Sequence, residues 1–142
     1  MSFPPLFGFE HKNWHILMPQ QHKKVLAVLS DLFFSVKIAD AAKRAGMAVE
    51  LVKDPHELML KAKAKPSVII FDLNFEDAQP LELIAKLKGS PEFKGVSLIG
   101  YLSHVQGELK QAAQEAGCDM VMARSAFSQN LQQILKRHSG VI

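Results

Sequence analysis

From residue 22 onward the chain alternates short apolar runs with segments of helical period, and this alternation leaves few folds open. The stretches 25–29, 48–52, 67–71, 96–102 and 119–123 read as five strands. Their apolar residues are mostly consecutive, as in strands buried on both faces. Ser67-Val68-Ile69-Ile70-Phe71 is the most apolar and most β-prone of them, which places it at the centre of the sheet.

The intervening segments carry helix signals. Over 32–45, Phe34, Ile38, Ala41 and Ala45 share one face, and Gly46 is the stop. Asp54-Pro55-His56-Glu57 opens a second helix with a cap, a first-turn proline and an acid three residues after the cap; Lys65-Pro66 ends it. A third helix covers 80–88, with Leu81, Ile84 and Leu87 on one face, before Gly89-Ser90-Pro91 breaks it. A fourth spans 106–116 and closes at Gly117. A fifth opens at Phe127 or Ser128 and runs to about His138, with Leu131, Ile134 and Leu135 inward. Five such units imply an α/β fold: a parallel sheet covered on both faces through right-handed crossovers. Ligands and chemistry then sit beyond the carboxyl ends of the strands, at 29–31, 52–54, 72–74, 102–104 and 124–125.

Composition narrows the class. A chain of 142 residues, 48% hydrophobic and 22% charged with net charge +3, is one globular domain and not a disordered one. No apolar run approaches the roughly 18 residues of a membrane helix, and the first residues lack a basic leader with an apolar stretch. With the single cysteine, Cys118, this points to a cytoplasmic protein with no membrane partner. The basic residues are interleaved with acids, and the densest cluster, Lys61, Lys63 and Lys65, reads as a solvated helix end. No nucleic-acid partner is therefore expected. Residues 1–21, with Pro4, Pro5, Pro19 and Trp14, form an N-terminal extension, and 22–142 form the domain.

Asp72 is the sharpest functional signal. It follows four apolar residues on the central strand, where an acid is costly unless paired or partly solvated. It is either a loop-capping carboxylate or a nucleophile or metal ligand at the active edge. His11 and His15 could share a helical face, but no carboxylate or thiol completes a metal set. His104 reads as a loop residue, and Cys118 as a buried structural thiol.

Asp72-Leu73-Asn74 after an apolar strand, Leu81-Glu82-Leu83-Ile84 nine residues on, Ser90-Pro91 before the fourth strand and Ala112-Ala113-Gln114-Glu115-Ala116-Gly117-Cys118-Asp119 before the fifth resemble a response-regulator receiver domain. The resemblance covers about 22–138. It implies a flavodoxin-like sheet of order 2-1-3-4-5 and a place in two-component phosphorelay signalling. It also implies a phosphoryl acceptor at Asp72, and a Mg²⁺ site made by Asp72, an acid pair ending strand one and the backbone carbonyl of Asn74. Here the acid pair falls on Leu29 and Ser30, with Asp31 adjacent. The hydroxyl position falls on Leu102 with Ser103 beside it, the lysine on Arg124, the following proline on Ser125 and the switching aromatic on Val121.

A complete site of three carboxylates and one lysine carries −2; Asp72 with Arg124 carries 0, or −1 with Asp31. At about 4 Å and an effective dielectric near 20, each unit of charge is worth on the order of 4 kcal/mol before desolvation. Mg²⁺ binding at Asp72, Asn74 and Asp31 is thus expected to be weak, leaving no cofactor, and Arg124 is expected to pair with Asp72. The reading is a non-enzymatic pseudo-receiver, monomeric or weakly dimeric, that binds a protein partner such as a kinase or effector. Its docking face would bear Glu108, Gln111, Glu115, Gln132 and Lys136; with no apolar anchor among them, the alternative is that this face is only solvated surface. The alternatives are a phosphorylatable receiver and a small-ligand module; Ser30-Asp31-Leu32-Phe33-Phe34-Ser35 lacks the glycines of a phosphate loop.

Overall fold

The computed structural model describes residues 23–103 and 106–139; the extension 1–21, with His11 and His15, and the loop residue His104 lie outside these. Five units follow in order: β1 (Lys24–Val28) and α1 (Leu32–Arg44), β2 (Ala48–Val52) and α2 (Pro55–Ala62), β3 (Val68–Asp72) and α3 (Pro80–Lys88), β4 (Ser97–Leu102) and α4 (Gly107–Ala116), β5 (Met120–Ala123) and α5 (Arg124–His138). The strands form one parallel sheet of order β2-β1-β3-β4-β5, so β3 is central and Asp72 ends it. The register sets Val28 beside Phe71, Phe71 beside Gly100, Asp72 beside Tyr101 and Leu102 beside Ala123.

Local chemistry fixes the joints. Asp54 caps α2 by accepting the Glu57 N–H at 2.9 Å, with Pro55 as first residue. Gly117 ends α4 at φ +115, where a side chain would be strained and would also strike the Lys88 stem. Lys88 pairs with Asp119 Oδ1 at 2.7 Å, while Asp119 Oδ2 accepts the Leu98 N–H at 2.7 Å, locking the entry of β5 to β4.

Alternate residues of each strand feed two cores. Leu26, Val28, Ile69, Phe71, Leu98 and Leu102 face α2, α3 and α4 with Leu58, Leu83, Ile84 and Leu87. Val25, Ala27, Val68, Ile70, Ile99 and Tyr101 face α1 and α5 with Phe34, Ile38, Phe127, Leu131 and Leu135.

Two expectations are corrected. The last helix begins at Arg124, three or four residues before the expected Phe127 or Ser128, because the chain leaves the extended Ala123 directly into helix without a side-chain cap. The Lys61 end of α2 is more than solvated surface. Lys61 bridges Glu57 at 3.0 Å and Glu50 of β2, and these contacts push its ammonium pKa up and hold the Glu50 carboxyl down. Lys63 and Lys65 remain exposed.

Candidate functional site

Asp72 stands at the carboxyl edge of the central strand. Ile70, two residues back, belongs to the α1/α5 core, and the period of two puts the Asp72 side chain on that same face. Its Oδ1 accepts the Asn74 N–H at 3.0 Å. Partial burial pushes its carboxyl above the usual range, against the pull of the Asn74 N–H and the Arg124 charge. The Asp31 charge adds to the upward push.

Asp31 and Arg124 meet above this position. Asp31 is the cap of α1: its Oδ1 accepts the Phe34 N–H at 3.1 Å. Its Oδ2 accepts a hydrogen bond from Arg124 Nη2 at 2.5 Å. The Arg124 bond first, and the Phe34 N–H second, hold the Asp31 carboxyl below the usual range. The same guanidinium lies over the Phe34 ring, 4.3 Å from its centroid. The expected Arg124–Asp72 salt bridge is therefore replaced by Arg124–Asp31, and Arg124 acts on Asp72 only through space. Pairing with the more exposed Asp31 strips less water from both charges than reaching down to Asp72 would.

Three rings make the floor. Tyr101 stacks on Phe127 with centroids 5.1 Å apart, and Phe34 tilts against Tyr101 at 4.9 Å. Tyr101 is fully buried, and among the described residues its hydroxyl has no hydrogen-bond partner. Burial, reinforced by the Asp72 charge, pushes its ionisation far up.

Across the edge, the Asn74 side chain ties two loops. Its Oδ1 accepts the Ser103 N–H at 2.8 Å, and its Nδ2 donates to Gln106 Oε1 at 2.9 Å. A groove of about 480 Å³ opens beside this bridge, between the starts of α3 and α4, but Asp72 does not line it. The Asn74 carbonyl, which the family resemblance assigns to a metal, accepts the Glu76 N–H at 3.1 Å. Among the described residues no three His, Cys, Asp or Glu side chains are grouped to hold a metal ion.

Asp72, Asp31 and Arg124 thus converge, with a formal charge of −1, and Ser103 joins them through Asn74. Leu102 is buried and Val121 packs against the aliphatic core. Sequence reasoning missed the side-chain role of Asn74 and the Phe34–Tyr101–Phe127 floor. The tyrosine within the apolar run 96–102 was the available signal for the floor.

No family model matches the chain, and no curated protein is significantly similar to it. Solved structures are similar in fold. A response regulator from Hahella chejuensis is 17% identical, with a TM-score of 0.74 over 84% of this chain and 96% of that one. A chemotaxis response regulator of Vibrio cholerae is 25% identical, with a TM-score of 0.70 over 82% and 98%. A phosphorylated cyanobacterial phytochrome response regulator is 22% identical, with a TM-score of 0.66 over 82% and 90%. The chain has the receiver-domain fold of response regulators.

Proposed function

We propose that residues 22–142 form a receiver-like signalling module that acts by binding a protein partner, with phosphorylation at Asp72 impaired. The observation that carries this reading is the commitment of Asp31. It is the acid nearest in sequence to the missing pair, and both its oxygens are engaged, one by the start of α1 and one by Arg124. A divalent ion at Asp72 would have to take Asp31 from two partners and displace the Glu76 N–H from the Asn74 carbonyl or share that oxygen with it. Mg²⁺ sheds water reluctantly and needs carboxylates or phosphates to bind. The hydroxyl and aromatic positions hold Leu102 and Val121, which offer a phosphoryl group no hydrogen bond.

The output is a surface contact. Glu108, Gln111, Glu115 and Lys136 on α4 and α5 are exposed, with Gln132 half-buried, and they form the proposed docking face for a kinase or effector. The fold supports signalling of the two-component type, for which we propose a cytoplasmic setting; among the described residues no helix is long and apolar enough to cross a membrane.

Asp72 at the end of the central strand favours a second reading, a phosphorylatable receiver, as in the phosphorylated cyanobacterial neighbour. Intact-mass measurement after incubation with acetyl phosphate and Mg²⁺ separates the two. Little or no phosphoryl adduct is expected. A near-stoichiometric adduct that disappears in Asp72→Asn would establish the second reading.

A further inference from the structure

The groove beside the Asn74 bridge is apolar below and acidic above. Leu73 and Pro80 are buried in its floor. Leu81 and Leu109 are half-buried: each packs on the core under α2, α3 and α4 and also lines the groove. Glu76 and Glu82 stand exposed on its walls. A hollow of about 350 Å³ continues it along the first turn of α4, sharing Gln106 and Leu109 and adding Glu108. Another, of about 260 Å³, continues it toward the start of α2, sharing Gln79 and Glu82. The three make one trough across the starts of three helices.

Its acids differ from those elsewhere. Asp31, Asp40, Glu50, Glu57 and Asp119 each hold a lysine or arginine. Glu76, Glu82 and Glu108 have no ion-pair partner among the described residues, in a chain of net charge +3. Lys86, at the α2 end, is the one lysine or arginine lining the trough. Carboxylates above an apolar floor face little competing polar protein, which focuses their field on whatever enters.

Two demands fix the occupant. The floor favours a large apolar side chain, while the walls repel an acidic segment and would be stripped of water by a purely apolar one. A large apolar residue between cationic ones meets both. Neighbouring helix axes lie roughly 8–10 Å apart, so the trough runs about 20 Å, the length of about six extended residues. That length suits a peptide segment better than a single small cation.

We propose that this trough docks an extended segment of a partner protein, its large apolar side chain seated on Leu73, Leu81 and Leu109 and its flanking lysines or arginines facing Glu76, Glu82 and Glu108. This goes beyond the reading above. It gives the module an apolar anchor that the polar α4/α5 face lacks, and it requires nothing of Asp72.

Three hexapeptides test it against the full chain by amide nitrogen–proton NMR. The first is Lys-Lys-Leu-Phe-Lys-Lys, the second replaces its centre with serines, and the third replaces its lysines with glutamates. The first is expected to bind saturably at millimolar concentration or below, shifting the amides of Leu73, Leu81, Glu82 and Leu109, and about ten-fold tighter than either control. Glu76→Gln with Glu82→Gln should weaken it, as should Leu81→Ser, with far-UV circular dichroism unchanged; Glu115→Gln should not. Raising the salt should weaken it too. The proposal is overturned if the first peptide does not saturate, if either control binds equally well, or if Glu115→Gln weakens binding as much as the Glu76 and Glu82 changes do. It is also overturned if the shifts follow self-association of the chain seen by sedimentation. A phosphoryl adduct on Asp72 would sink the preceding reading and leave this binding intact, so the two fail separately.

Discussion

The face of the sheet under α2, α3 and α4 is lined mainly by aliphatic side chains, whereas the face under α1 and α5 carries the rings of Phe34, Tyr101 and Phe127 with Asp72, Asp31 and Arg124 at its upper edge. The aliphatic face holds one buried polarisable group, Cys118. Its thiol, pushed up to about 11 by burial, faces the Leu98 and Met120 carbonyls at 3.4 and 3.3 Å. The aromatic face holds a buried hydroxyl without a partner among the described residues. One side of the sheet is a satisfied scaffold, and the other keeps an unresolved polar group below its charges. Such departures from local consistency concentrate where function lies.

The largest expected effect comes from removing the ring that ties the aromatic face together. Phe127→Ala should lose about 3–5 kcal/mol in urea unfolding, because Phe127 touches both other rings and anchors the helix that begins with Arg124. A loss below about 1 kcal/mol would mean that α5 is held by Leu131, Ile134 and Leu135 alone. Tyr101→Phe sharpens the contrast in the opposite direction. It removes the unpartnered hydroxyl and should stabilise the protein by about 1 kcal/mol. Destabilisation of that size in the same assay would show that the hydroxyl has found a partner.

The smallest effect separates the two acids by pH. Burial raises the Asp72 pKa, so Asp72 favours the folded state below its unfolded value, and that contribution is lost as pH rises through the folded one. Asp72→Asn should therefore raise stability at neutral pH by no more than about 1 kcal/mol after screening, and leave it unchanged in strong acid. Asp31 has the opposite sign. Its depressed pKa gives stability above the ordinary carboxylate range that is lost as pH falls through the folded value. Asp31→Asn keeps a capping oxygen and should flatten only the acid side. Urea midpoints of both variants against pH test this, and a shift of the same sign in both would refute it.

Where signals were local, the sequence was legible. Asp54, Pro55 and Glu57 marked a helix start, Gly46 and Gly117 marked helix stops, and the run ending in Phe71 placed Asp72 on the central strand. The start of α5 was not legible, because Ala123-Arg124-Ser125 holds no side-chain cap where the helix begins. The partner of Arg124 was hidden for a different reason. Both carboxylates feel its charge, and which of them it bonds is set only in the assembled edge. The role of Asn74 depends on two atoms from the far side of the β4–α4 loop, and no spacing rule reports those.

The Asp31–Arg124 bond spans 93 residues and joins the first helix to the last. During synthesis from the N-terminus, four βα units can stack before Arg124 exists as part of the chain. Contacts this distant in sequence are slow to form, because loop closure precedes any reward from them. The edge that carries Asp72 is thus the last part of the molecule to be completed, and a nascent chain stalled before α5 presents Asp31 without its arginine. Quality-control proteins that read unfinished chains would meet this protein first at the edge that carries Asp72.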